Sequence, residues 1–314
     1  MNFSPIEPHV VAEQQALAVA FSQRNPFRHV VIENFFTPAY CAQLLDQFPP
    51  FERGNARNEA GELANKSTIE KIRGLGPAFA ALDDLVQSRD FLELIGRITG
   101  IDDLLYDPWY FGGGTHESRN GQDLDVHVDF NRHPLEGWHR RLNLIVYLNH
   151  EWEIDWGGAL ELHSDPRAAD DRITSIAPLF NRAVIFETTE CSWHAFPRID
   201  LPADKRDLTR KSIALYFYTK DRPADELAPT HSTIYVDPPL PEQFKAGYTL
   251  TPTDVDALQI LIQRRDQHNR RLYGDVTALT ARLEEAQNAL FAGYLGRLRY
   301  LSNLLRRGLR RMRG

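Results

Sequence analysis

Two spacings of apolar residues share this 314-residue chain. From Val10 to Arg24 and from Thr37-Pro38 to Phe48, apolar side chains recur every three or four positions, the spacing of a helix with one buried face. Pro26 stops the first, and Pro49-Pro50 stops the second. Thr37 and Pro38 suit the N-cap and first turn of the second helix. Between the two, His29-Val30-Val31-Ile32 has the composition of a short strand. Residues 51–75 are polar, with Gly54, Gly61 and Gly74, and read as an exposed loop, whereas 76–97 returns to helical spacing. From about 104 to 235 the period drops to two. Leu104 to Phe111 reads as a strand broken by Gly112-Gly113-Gly114, and Asp125 to Phe130 follows. Next comes Arg141 to Leu148, with Leu142, Leu144, Val146 and Leu148 on one face and Arg141, Asn143, Ile145 and Tyr147 on the other. Ala159–Leu162, Ala183–Phe186 and Ile213–Phe217 continue the series. Short strands separated by turn residues predict a sandwich or barrel, and nothing here alternates strand with helix as a nucleotide-binding sheet does.

From Thr253-Asp254 onward the pattern is helical to the end. Leu258, Ile262, Arg265, Asn269, Leu272, Val276, Leu279, Leu283, Ala286 and Leu290 follow a 4-3 spacing, interrupted by two polar residues and weakened by Gly274. This predicts a short coiled coil or a hairpin packed on the body. The expected organisation is helical and strand support over 1–100, a β core over 101–236 and a helical extension over 250–314.

Charge sharpens that division. The net charge is −7, yet seven arginines and no acid follow Glu285, so residues 1–285 carry −14. An acidic body argues against nucleic acid as its partner. Leu295, Leu298, Leu301 (or Ser302), Leu305, Leu309 and Met312 recur between those arginines, so the tail reads as a basic amphipathic helix, suited to an anionic membrane surface, to the acidic body, to a partner or to self-association. No apolar run approaches the ~20 residues that cross a bilayer. Two cysteines, Cys41 and Cys191, make no disulfide framework. With an N-terminus that lacks the marks of a secretion signal, they make the cytoplasm the expected compartment, with peripheral membrane attachment through the tail as a variant.

The chemistry gathers in the strand-rich region. In an extended strand His127 and Asp129 project together, a nitrogen and an oxygen ligand side by side. Cys191-Ser192-Trp193-His194 offers a third ligand in His194, and Arg210 opens the alternating strand that ends at Tyr218. Two imidazoles and one carboxylate on one face of a metal leave positions open, the arrangement of non-haem Fe(II) oxygenases. A guanidinium downstream offers a fork for a carboxylate co-substrate. Arg210 shares its face with the small residues Ser212 and Ala214, whereas Lys211 shares its face with Ile213, Leu215 and Phe217. Cys191 and His194 have a zinc-like spacing, but no second pair completes a tetrahedral site.

Several segments carry a resemblance in the same order: His127-Val128-Asp129-Phe130, Arg141 to Asn149, and Trp156-Gly157-Gly158-Ala159-Leu160-Glu161-Leu162. Pro178 to Phe186, Ser192-Trp193-His194, and Arg210 to Tyr218 complete it. With them, residues from roughly 28 to 222 resemble the 2-oxoglutarate/Fe(II)-dependent dioxygenases, specifically the prolyl-4-hydroxylase-like group. The resemblance implies a mainly β fold, a double-stranded β-helix (jelly roll) with flanking helices. It implies His127, Asp129 and His194 as catalytic metal ligands, and Arg210 with Tyr147 as the 2-oxoglutarate clamp. It also implies Fe(II), 2-oxoglutarate and O2, with ascorbate as a candidate reductant, and hydroxylation of an unactivated C–H bond with succinate as co-product. The carboxylate of Asp129 favours hydroxylation over halogenation. The acceptor stays open between a prolyl or other amino-acid residue and a membrane- or glycan-associated small molecule. A metal-binding jelly roll without turnover is the alternative from another class. His116, His133 and His139 are candidate acceptor contacts, and Tyr106, Trp109, Tyr110 and Phe111 are candidate groove residues.

Overall fold

A computed structural model describes residues 5–23, 25–57, 63–237, 240–241 and 243–291, with residues 293, 296, 298 and 302. Met1–Pro238 and Pro239–Gly314 are two compact units.

The first unit is built on two antiparallel sheets. The larger runs in the order β1 (His29–Ile32), β10 (Ala183–Glu187), β7 (His139–Tyr147), β12 (Arg210–Thr219), β5 (Gly114–Ser118), β3 (Leu63–Ile69) and β2 (Asn55–Arg57), with β4 (Leu105–Tyr106) also beside β12. The smaller runs β13 (Ile234–Tyr235), β6 (Leu124–Val128), β11 (Trp193–Phe196), β8 (Leu160–His163) and β9 (Ile173–Ile176). Apart from β2 with β3 and β8 with β9, the paired strands are non-consecutive, which is how a jelly roll folds a chain back on itself.

Alternation sorts the two faces of the larger sheet. Leu142, Leu144, Val146, Ile213, Leu215 and Phe217 turn outward into the main hydrophobic core. The helices α1 (Pro8–Ala12), α2 (Gln14–Ser22), α3 (Pro38–Asp46), α4 (Pro77–Val86) and α5 (Arg89–Thr99) cover that face. α5 shows why it forms: Phe91, Leu94, Ile95 and Ile98 recur at helical spacing and are wholly buried, Phe91 against Phe217. Ser88 Oγ accepts the Phe91 N–H at its start, and Gly100 closes it in the left-handed region at φ 69°. Each such apolar side chain contributes about 1.5–3 kcal/mol on burial. The opposite face, with Tyr147, Val184 and Phe186, packs on Leu160, Leu162 and Ile176 of the smaller sheet.

Four expectations change. Residues 51–75 are not one loop. β2 and β3 lie within them and pair onto β5 as a polar sheet edge, which apolar patterning does not register. The strand expected over 104–111 shrinks to Leu105–Tyr106 because both Asp107 carboxylate oxygens accept backbone N–H groups, from Trp109 and Phe111, and fold the chain into a turn. The helix over 10–24 divides at Glu13, and that over 76–97 divides at Ser88. Thr37 sits at the N-cap of α3, but its side chain makes no capping hydrogen bond.

In the second unit α6 (Pro252–Phe291) runs as one 40-residue helix. The basic tail expected after it falls almost wholly outside the described residues. Among the described residues no helix is long and apolar enough to cross a membrane.

Candidate active site

β6 and β11 pair so that His127 stands directly opposite His194. Their ring centroids are 4.2 Å apart. Asp129, two residues beyond His127, points to the same side. His127 Nε2 lies 3.8 Å from its Oδ1, and His194 Nε2 lies 3.5 Å from its Oδ2. One ligand atom from each of the three residues lies within 4.8 Å of the others.

The imidazoles are oriented by their own backbone. His127 Nδ1 is 2.8 Å from the Asp125 carbonyl, and His194 Nδ1 is 2.9 Å from the Ser192 carbonyl. A carbonyl only accepts, so both Nδ1 atoms carry the proton and both Nε2 lone pairs face inward. Burial holds both imidazoles below their ordinary pKa, that of His127 at about 3. Burial alone would raise the Asp129 pKa. The Arg140 guanidinium, with the hydrogen bond from Asn143, reverses this and holds its carboxyl well below the usual carboxylate range. Two neutral imidazole lone pairs and a carboxylate therefore converge with no proton to share. That donor set fits a divalent cation, and three ligands leave room for other groups on it.

Arg140 and Asn143 buttress Asp129. Asn143 Nδ2 donates to Asp129 Oδ2 at 2.8 Å, and Arg140 Nη2 lies 3.1 Å from the same oxygen. The Asn143 carbonyl oxygen in turn accepts from Arg140 Nε and Nη2. The fully buried guanidinium is sandwiched between the rings of Tyr216, at 3.6 Å, and Phe130, at 4.4 Å. Strict alternation along β7 turns Arg141 inward with Asn143. The structure turns Arg140 inward instead, because the register between β7 and β12 shifts after Phe217 and its pairing skips Arg141. Arg141 goes to Glu187 and Glu226. A bulge leaves no mark in residue spacing, so Arg140 was not legible.

Arg210 begins β12 and is also buried. Its Nε donates to the Gly158 carbonyl at 2.6 Å and its Nη2 to the Tyr147 hydroxyl at 3.4 Å. Its guanidinium lies 4.3 Å from the Phe196 ring, and Phe196 shares the face of His194 two residues earlier on β11. Among the described residues no carboxylate lies within ion-pair distance of Arg210, and burial pulls its pKa below the ordinary guanidinium value. Burial raises the Tyr147 pKa, so its hydroxyl keeps its proton and can donate. Gly157 and Gly158 both adopt left-handed backbone, φ 72° and 70°. A side chain on Gly157 would strike the Arg198 carbonyl, and one on Gly158 would crowd Trp152 and Arg210. That close approach delivers the Gly158 carbonyl to Arg210.

The remaining candidates separate. His116 stands opposite Ser212 across β5 and β12, on the face that carries Arg210 and Tyr147. His133 is a clip between loops: its Nε2 lies 3.2 Å from Asp107 Oδ1, and its Nδ1 accepts from the backbone of Leu135 and Glu136. His139 pairs with Thr219 at the start of β7. Tyr110 donates to Asp83, away from the triad, and Phe111 packs edge-on against Phe130. Cys191 is exposed in the turn before β11.

Residues 113–218, the stretch that holds the triad, Arg210 and Tyr147, match the model of the 2OG-Fe(II) oxygenase superfamily. That stretch, about a third of the chain, is similar to the superfamily's oxygenase domain. The superfamily takes Fe(II), 2-oxoglutarate and O2. A curated relative is prolyl 3-hydroxylase OGFOD1 of Mus musculus, 26% identical over 240 residues. That match covers 74% of this chain and 40% of the relative, so the chain spans about two fifths of the relative's length. Among solved structures, a Trichoplax adhaerens prolyl hydroxylase in complex with a hypoxia-inducible-factor peptide fragment is similar at 19% identity. The match covers 68% of this chain and 93% of that one, with a TM-score of 0.48. A prolyl 4-hydroxylase from Phytophthora capsici is similar at 16% identity over 84% of this chain and 76% of that one, also with a TM-score of 0.48. The matched stretch contributes strands to both sheets and lies within the first unit.

Proposed function

We propose that this chain is an Fe(II)- and 2-oxoglutarate-dependent dioxygenase that hydroxylates an unactivated C–H bond of a prolyl residue in a protein. The observation that carries the reading is a buried cation, Arg210, with no carboxylate within ion-pair distance among the described residues, placed on the inner face of the barrel that also holds the two-His, one-carboxylate triad. A buried charge is costly unless it is paired, and a dicarboxylate co-substrate supplies the missing partner.

His127, Asp129 and His194 would hold the metal, with Nδ1 of each imidazole fixed by a backbone carbonyl so that only Nε2 faces it. When bound, Fe(II) supplies the oxidative chemistry that converts 2-oxoglutarate to succinate and CO2 and leaves an oxidant able to attack a C–H bond. Arg140 and Asn143 keep Asp129 ionised and in place. Arg210 and the protonated Tyr147 hydroxyl receive the distal carboxylate, fixing the co-substrate's far end so that its keto-acid end reaches the metal. Leu160, Leu162, Val184 and Phe186 keep the floor of the barrel apolar and exclude water. The prolyl acceptor is supported by the activity named for the mouse relative.

The test is a pool of proline-containing peptides incubated with the full chain, Fe(II), 2-oxoglutarate, ascorbate and O2. A peptide that gains one oxygen atom, in step with the succinate formed, supports the reading, and fragmentation of the product identifies the ring carbon. If succinate formation is accelerated by a non-peptide acceptor while every peptide stays unmodified, the prolyl assignment falls.

A further inference from the structure

The apolar seam of α6 belongs to the second unit. Written as heptads, Val255, Ile262 and Val276 occupy position a, and Leu258, Leu272 and Leu279 occupy position d. Along the helix this seam lies open: Ile262 is 49% exposed, Val276 59% and Leu279 62%. A 40-residue helix is about 60 Å long, and helices in proteins draw most of their stability from packing an apolar face. A seam this long calls for an equally long partner.

The residues on the seam select that partner. β-branched side chains at a with leucine at d favour two parallel strands over three or four. Asn269 falls at an a position in mid-helix, and it is the one polar residue among the a positions from Val255 to Leu283.

 Paired across a dimer, the two Asn269 amides hydrogen-bond each other and fix both register and strand number. Charge agrees with the parallel pairing. In that pairing Asp254 meets Gln259, His268 meets Tyr273, Asp275 meets Thr280 and Arg282 meets Gln287, so no like charges oppose each other. Arg265, at a d position, has the second copy's Asp266 beside it.

We propose that α6 is a dimerisation helix, its occupant a second copy of this chain in a parallel two-stranded coiled coil. The dimer would then carry two copies of the proposed oxygenase site. Light scattering on the full chain tests this. The expected result is a dimer that becomes a monomer in the Leu272→Glu, Leu279→Glu double variant, with a dissociation constant raised on the order of a hundredfold or more. Asn269→Val, which leaves helix propensity about unchanged, should keep the dimer intact at lower concentration than the parent. In a Cys191→Ser background, Val276→Cys should cross-link two chains on oxidation, because identical a positions meet only in a parallel, in-register pair. A monomeric parent chain overturns the proposal and leaves the seam to the chain's own tail or to another protein. A dimer that survives the double charge substitution, or one that Val276→Cys does not cross-link, overturns it as well.

Discussion

Replacing Arg210 with methionine removes the guanidinium while keeping much of the side chain's volume. If Arg210 receives the distal carboxylate of 2-oxoglutarate, the variant forfeits a charge-assisted, two-pronged contact in a buried site. Each such hydrogen bond is worth about 1.5–3 kcal/mol, and breaking a buried ion pair by removing one partner costs about 3–5 kcal/mol. At about 1.4 kcal/mol per decade, affinity for 2-oxoglutarate falls roughly a hundredfold to several thousandfold. Stability should move the other way, or not at all. The guanidinium has no carboxylate partner among the described residues and donates to the Gly158 carbonyl and the Tyr147 hydroxyl, so methionine relieves a desolvated charge. The assay is calorimetric titration of 2-oxoglutarate into metal-loaded protein without O2, with thermal melts alongside. The parent's Tm should rise with added 2-oxoglutarate, by the equivalent of about 2.7 kcal/mol at a hundred times the dissociation constant. The variant's Tm should not respond over the same range, and its metal content should equal the parent's. Affinity within a factor of about two of the parent would refute the clamp assignment.

Other consequences concern the groups around His127, Asp129 and His194, and the core. Arg140→Leu should weaken metal binding about 10–100-fold, the usual cost of losing a group that orients a ligand. Its Asp129 pKa should rise, because Arg140 is the first of the charges that hold it down, so metal binding followed against pH should fail at a higher pH than in the parent. His163 sits 2.6 Å from Asp171 and 3.6 Å from Glu161. Burial opposes its charge, but the two carboxylates outweigh burial and raise its pKa. A raised folded-state pKa contributes stability below the unfolded value of about 6.5, which is lost as pH rises through the folded value. The parent's Tm should decline over that interval, and His163→Gln should flatten the decline. Phe91→Ala should cost about 3–5 kcal/mol in denaturant unfolding, since the ring is wholly buried against Phe217.

Much of the site was legible because it rests on alternation in strands whose two faces differ. Tyr147 and Asn143 turn inward while Leu142, Leu144 and Val146 turn to the helices, as residue spacing along β7 predicts. The side-by-side placement of His127 and Asp129 follows from the same rule. What escaped has physical causes. Arg140 exchanged places with Arg141 through a register shift, which spacing does not encode. β3 is a polar strand, and its pairing with β5 depends on backbone hydrogen bonds that any sequence can make. Asp107 redirected an aromatic run by accepting two backbone N–H groups, a local competition that apolar periodicity overlooks.

The central claim is that His127, Asp129 and His194 hold the iron of a 2-oxoglutarate-consuming enzyme. Its most direct test is succinate release by the full chain supplied with Fe(II), 2-oxoglutarate, ascorbate and O2, measured beside bound iron, in the parent and in His127→Ala. The account predicts succinate and about one iron per chain for the parent, with both lost in the variant while the fold persists by circular dichroism. Equal iron content and equal succinate release in the two proteins would contradict it.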